Sequence, residues 1–456
     1  MVFFTYRIRN LKKVLSFVSI SFIIRIGSLN YSAFRIYKKG TIMIRIRNEV
    51  VMKKVIMIVG IVLFILGISI VGYKYYRWYQ IKHAKIEVIL KDDLTVDFLE
   101  ERHISDFIER MNGQIIDDEQ IDTKSIGKKE ITFSFVNDDH IKVHYTFKVD
   151  VVDRVAPVIR LGSVYKVKLN AEKSFVEDIF CGDNLDSHPI CTIEGDYDLG
   201  KVGDYPVSFV ARDASGNTTT KNFTLRVYKP APPTSSTGTT TSKPKVTYQK
   251  FEDLKKKYKT ENTQMGIDVS KWQGDIDFNA LKKAGIEFIF IRVGTMKGTD
   301  GEYVLDPKFI QNIEGANRVG IPVGIYFYSY SNTVEGARKD AKWVLEQIEP
   351  YKIDLPIAFD WEDWADFNSY HMSFFGLTSM AEEFIREVEK KGYKGMLYSS
   401  KYFLEEIWFP TNYPVWLAHY TSKTNYAGKY EYWQMCSDGS VDGIKGAVDV
   451  NVRYLK

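Results

Sequence analysis

Hydrophobic positions recur with three different periods along this chain, and each period predicts a different kind of element. From Val55 to Tyr73 (VIMIVGIVLFILGISIVGY) no charged residue interrupts the apolar run. That run matches the roughly 20 residues a helix needs to cross a bilayer. It follows Met52-Lys53-Lys54 and lacks a small-residue cleavage site, so residues 55–73 read as a transmembrane signal anchor with the N-terminus inside. Residues 1–54 are basic, with no acid before Glu49. The start-like Met52 context suggests that residues 1–51 are an over-extended start. Beyond the apolar run the period falls to two. Lys85–Leu90, Ile131–Val136 and Ile141–Val152 alternate as strands, separated by turns such as Asn137-Asp138-Asp139. IGKKEITFSFVNDD…YTFKVDVVD is then echoed by VGDYPVSFVARDASGN…NFTLRVY. The echo predicts two tandem all-β sandwich modules, 86–153 and 154–228.

Residues 229–247, KPAPPTSSTGTTTSKPKVT, are too polar to bury a core and read as an extended linker. From Met265 onward strand and helix patterns alternate. The strands are Met265–Val269, Phe288–Val293, Pro322–Ser329, Leu355–Asp360, Gly395–Ser399, Val415–His419, Tyr432–Met435 and Val448–Val452. The helices are Phe278–Ala284, Pro307–Val319, Val334–Ile348, Thr378–Lys391 and Tyr402–Trp408. This alternation predicts an α/β domain over 264–456, built as an irregular parallel (β/α) barrel. The protein is therefore expected to be multidomain.

Composition narrows the class. The chain has 456 residues and a formal net charge of +4, too small to argue for a nucleic-acid partner. Three cysteines are too few for a disulfide framework; Cys181 and Cys191 are close enough in sequence to pair, leaving Cys436 alone. Asp183-Asn184-Leu185-Asp186 lacks the spacing of a defined cation loop and reads as a solvated turn. No metal or cofactor is assigned.

The candidate chemistry centres on Leu355–Glu362, LPIAFDWE. At period two Asp360 and Glu362 face the same side of a strand end. Like charge and desolvation beside Phe359 and Trp361 would hold a proton on one of them, as glycosidic bond cleavage requires. The pair reads equally well as structural acids satisfied by arginine or backbone donors. In parallel barrels chemistry gathers at the C-terminal strand ends, where Asp268, Asp360, Glu362 and Asp449 would converge, with Arg292 as counter-charge. Tyr326, Tyr328, Trp416 and Tyr420 alternate on their strands, either to line a sugar cleft or to fill the interior.

GIDVSKWQG at 266–274, the AFDWE strand, WLAHY at 416–420, Trp433-Gln434 and VDVNV at 448–452 occur in an order that resembles glycoside hydrolase family 25, the lysozyme-type N-acetylmuramidases. The 86–228 modules resemble bacterial Ig-like domains of cell-surface proteins. The family resemblance implies that Glu362 is the general acid and that Asp360 stabilises the acetamido group or the oxocarbenium-like centre. It implies that Asp268 and Asp449 are further catalytic-cleft acids, and that Tyr326, Tyr328, Trp416, Tyr420, Arg292 and Trp433 bind substrate. The expected protein is a single-pass, membrane-anchored enzyme outside the cell membrane. It would cleave the β-1,4 bond between N-acetylmuramic acid and N-acetylglucosamine in peptidoglycan, with protein partners at the surface of the modules. A non-catalytic wall tether or adhesion protein is the competing expectation.

Overall fold

A computed structural model describes residues 49–230, 247–299 and 301–455. The reading of 1–51 as an over-extended start, and of 229–247 as a linker, falls largely outside these residues. The chain forms two compact units, one ending at Val151 and the other beginning at Val152.

In the first unit, helix α1 (Glu49–Lys82) carries the apolar run. It is the one helix among the described residues long and apolar enough to cross a membrane. Residues 88–152 then form a four-stranded sheet, in which Gly127–Asn137 and Lys142–Val152 are the central antiparallel pair. A two-stranded ribbon pairs Val88–Leu90 with Ile108–Met111. Alternate residues of the long pair, including Phe133, Phe135, Phe147 and Val149, turn inward onto one apolar core.

The second unit opens with a similar all-β arrangement. Ile190–Glu194, Gly203–Arg212, Thr218–Tyr228 and Val164–Lys168 form one sheet, and Val158–Arg160 pairs with Phe180–Gly182 in another. The Cys181–Cys191 disulfide joins the two sheets.

Helix α2 (Phe251–Tyr258) leads into a ten-stranded sheet. Its main strands are β1 (Thr263–Val269), β2 (Phe288–Met296), β3 (Val323–Tyr328), β4 (Ile357–Asp360), β5 (Gly395–Ser400), β6 (Val415–Ala418), β7 (Tyr432–Ser440) and β8 (Val448–Tyr454). Strands β1 to β7 run parallel to their neighbours. Strand β8 is antiparallel to both β7 and β1, and so closes the sheet on itself. Between the strands lie α3 (Phe278–Ala284), α4 (Phe309–Val319), α5 (Val334–Ile348), α6 (Phe374–Glu389) and α7 (Lys401–Glu406).

The two-residue alternation sorts every strand. Ile289, Ile291, Ile325, Phe327, Ile357, Phe359, Leu417 and Val450 pack outward in the large core that the helices cover. Phe288, Phe290, Ala358, Met396, Tyr398, Trp416 and Tyr432 form a separate inner cluster. Gly324 makes room for that cluster, because a Cβ there would lie 2.2 Å from the Phe290 ring. Phe290 is thereby free to stack on Trp416, with ring centroids 4.4 Å apart. Tyr398 and Trp416 of this aromatic floor also line the cavity that holds the candidate site.

The 154–228 module does not stand apart from the closed sheet. The Asn368 amide donates to the carbonyls of Glu177 and Ile179 and accepts from the Cys181 N–H. Phe180 packs against Phe367 and Phe374. The Arg160 guanidinium lies over Tyr402 and Phe403. A reading in which residues 229–247 alone join module and α/β domain therefore misses a second, non-covalent junction.

Candidate active site

Trp361 fixes the acid pair. Its side chain points outward, is fully buried, and donates its indole N–H to the Ser331 carbonyl at 3.1 Å. Edge contacts with Trp364, Phe367 and Tyr370 lock it further. With the residue between them pinned outward, Asp360 and Glu362 must both face inward. Asp360 ends β4 and is buried, whereas Glu362 lies one step beyond and is half-buried.

Asp268 reaches the same space from β1, and Asp449 stands opposite it in the β1–β8 register. The resulting cavity, about 220 Å³, is lined by all four acids, by Arg292, Tyr326, Tyr328, Trp416 and Tyr420, and also by Trp272, Tyr398 and Gln434. Hollows of about 490 Å³ at the module junction and about 820 Å³ beside Trp408 are larger. Neither brings buried carboxylates together, so chemistry rather than size marks the site.

A polar network orients Asp268. Its Oδ2 accepts from the Asn451 amide at 2.7 Å and from the Gln434 amide at 3.0 Å. The Gln434 carbonyl in turn accepts the hydroxyls of Tyr398 and Tyr420. Asn451 accepts the Trp416 indole N–H at 2.7 Å. These donors favour the ionised form of Asp268, although burial still pushes it up to about 6. Asp360 has no such support, and its Oδ1 has no hydrogen-bond partner among the described residues. Desolvation, followed by the charges of Glu362 and Asp268, raises it well above the carboxylate range, against the pull of Arg292. Desolvation and the Asp268 charge push Glu362 up to about 7, and desolvation pushes Asp449 up to about 8. Near neutral pH the cluster therefore holds protons that ordinary carboxylates would have lost.

The inner-facing positions read from the sequence do gather here, with two corrections. Trp433 is not in the cavity. On β7 the odd-numbered Trp433 and Met435 face the outer core, and Trp433 packs on Tyr258 while donating to the His419 carbonyl. Trp416 lines the floor but is only 1% exposed, so its ring has no open face for a sugar. The open aromatic rim consists of Tyr420, 56% exposed, and Trp272, 75% exposed. Arg292 is held by buried Asp306 at 2.7 Å, and the Lys271 N–H binds the same carboxylate. Sequence reasoning missed Gln434, Asn451, Tyr398 and Trp272 as site residues. The period-two rule that picked Asp449 also places Asn451 on the same face.

Residues 267–444 match the model of glycosyl hydrolases family 25. YegX of Escherichia coli strain K12, itself uncharacterised, is 31% identical over 192 residues, covering 41% of this chain and 68% of that protein. The autolytic lysozyme of Clostridium acetobutylicum is 29% identical over 189 residues, covering 41% and 54% of the two chains. Among solved structures, a family 25 glycosyl hydrolase of Bacillus anthracis is similar at 25% identity with a TM-score of 0.37, covering 44% of this chain and 91% of that one. The chain belongs to glycosyl hydrolases family 25 and is a glycoside hydrolase of the lysozyme type.

Proposed function

We propose that this protein is a membrane-anchored peptidoglycan hydrolase that cleaves the β-1,4 bond between N-acetylmuramic acid and N-acetylglucosamine. The observation that carries the reading is the convergence of Asp268, Asp360, Glu362 and Asp449 on one cavity, with Glu362 at its open side retaining a proton to about pH 7. Glu362 donates that proton to the glycosidic oxygen as the C1–O bond breaks, so the leaving sugar departs as a neutral alcohol. Asp360, beneath it, orients the 2-acetamido group. A water then adds to C1 and returns a proton to the site. Asp268 and Asp449 complete the acidic cleft, while Tyr326, Tyr328 and Tyr420 flank the glycan. Asp360 is also raised but is the more deeply buried of the two, and reach selects Glu362 as the donor.

The closed sheet is read as an irregular (β/α) barrel and the two all-β segments as Ig-like modules. Helix α1 serves as a single-pass anchor that leaves the catalytic domain on the cell-wall side. The modules lie between helix and enzyme in chain order and offer surface to protein partners.

The test uses purified, detergent-solubilised full chain on isolated Gram-positive walls, wild type beside Glu362→Gln, with the new reducing ends identified by mass spectrometry. Reducing N-acetylmuramic acid from wild type, reduced about 10²–10⁴-fold in the variant, is expected. Reducing N-acetylglucosamine would overturn the bond assignment, and an unimpaired variant would overturn the role of Glu362. Wall binding without release by either protein would favour the tether.

A further inference from the structure

The 154–228 module holds a second group of buried acids, far in sequence from the catalytic cluster. Asp153, Asp183 and Asp213 follow three different strands, and one carboxylate oxygen from each lies within 4.8 Å of the others. The sequence pattern placed Asp183 in a solvated turn, but it is 0% exposed, and Asn184 and Asp213 are buried beside it. Asp186, grouped with Asp183 by sequence, lies outside the trio and binds the N–H groups of His188 and Ala214 instead.

Local donors satisfy only part of this group. Asp183 Oδ1 accepts from Leu185 and Asp186 N–H, and both Asp213 oxygens accept from Asn217. The Asn184 amide nitrogen donates to Asp153 Oδ1 at 2.9 Å. Asp183 Oδ2 and Asn184 Oδ1, both on side chains more than nine-tenths buried, have no hydrogen-bond partner among the described residues. The charges that act on Asp183, those of Asp153 and Asp213, share its own sign. Convergent buried carboxylates with orphaned oxygens are costly unless a cation neutralises them.

We propose that Asp153, Asp183 and Asp213, joined by the Asn184 side-chain oxygen, bind a calcium ion. The donors are all hard oxygens, which excludes a preference for zinc or copper. They are contributed by loops from separate strands, which suits the flexible coordination of calcium better than the strict octahedron of magnesium. A flip of the Asn184 amide would replace its hydrogen bond to Asp153 with an oxygen ligand. The position gives the ion a second effect. The carbonyls of Asp183 and Asn184 accept the N–H groups of Phe374 and Phe375, each at 2.9 Å, at the start of α6. An ion that fixes this loop therefore also fixes the junction between the module and the domain that carries the active site.

The test is calcium titration of the chelator-treated, detergent-solubilised full chain by calorimetry, with thermal unfolding and amide exchange in parallel. One ion per chain is expected, with a Kd of about 10⁻⁴–10⁻³ M or tighter. Binding should raise the Tm and slow exchange at Phe374, Phe375 and Cys181, and magnesium at the same concentration should do much less. Asp213→Asn should weaken binding at least tenfold. No binding by wild type at 10 mM calcium would overturn the proposal without touching the catalytic reading. An equal effect of magnesium, or unchanged affinity in a folded Asp213→Asn protein, would also overturn it.

Discussion

Asp360 and Glu362 differ by a single pleat of one strand, yet their surroundings give them different tasks. Asp360 is buried with one oxygen unpartnered among the described residues, whereas Glu362 is half-buried. Both carry folded-state proton affinities raised above the unfolded values. The folded state therefore binds more protons than the unfolded chain across that interval. Stability attached to these groups is full below about pH 4 and is lost as pH rises through the folded values. Asp360→Asn is expected to raise the Tm at pH 8 while the difference from wild type fades toward pH 4. Each kcal/mol of relief would read as about 2–4 °C in differential scanning calorimetry. An equal shift at both pH values would mean that desolvated charge is not the cause. At this scale the acids were legible, because period two and strand ends sufficed to place them. Trp433 was misplaced because a motif was followed where parity, which puts Gln434 inside, gave the right answer.

Each strand of the closed sheet serves two layers, and its inward positions must fit the aromatic floor beneath the acids. Gly324 shows how tight that fit is. Gly324→Ala would press its methyl onto Phe290, and overpacking of this kind costs about 1–3 kcal/mol. A lowered Tm is expected, accompanied by a loss of activity as the Phe290–Trp416 stack shifts beneath Asn451 and Asp268. Unchanged Tm and turnover would show that the floor yields freely. Most strand centres could be read from alternation, but helix α6 could not be placed well. The sequence pattern begins it at Thr378, whereas Ser373 caps it and the Phe374–Phe375 turn is helical. That turn uses the Phe374 ring and the N–H groups of both residues on the neighbouring module, so the local apolar period does not announce it. The closing role of β8 was likewise hidden, since strand direction leaves no mark on alternation.

On the scale of the second unit, one asparagine carries much of the junction. The Asn368 side chain makes three hydrogen bonds to the backbone of residues 177–181. A buried group left unpaired costs about 1–3 kcal/mol, so Asn368→Ala should speed amide exchange at Cys181 and its neighbours. Protection in the central strands of the closed sheet should stay unchanged. Equal acceleration in both would mean that the junction and the sheet open as one. This junction was invisible in the sequence, because Asn368 lies in a short 3-10 helix and its partners are main-chain atoms nearly two hundred positions away. The Pro- and Thr-rich 229–247 segment drew attention to the covalent connection instead.

The pH dependence of kcat/KM for wall hydrolysis reads out the proton that Glu362 is proposed to deliver near neutral pH. With Glu362 at about 7, the rate should fall above pH 7 and approach a tenfold loss per pH unit. A rate that holds steady to pH 9, or that already falls between pH 4 and 5, would show that Glu362 is not the proton donor.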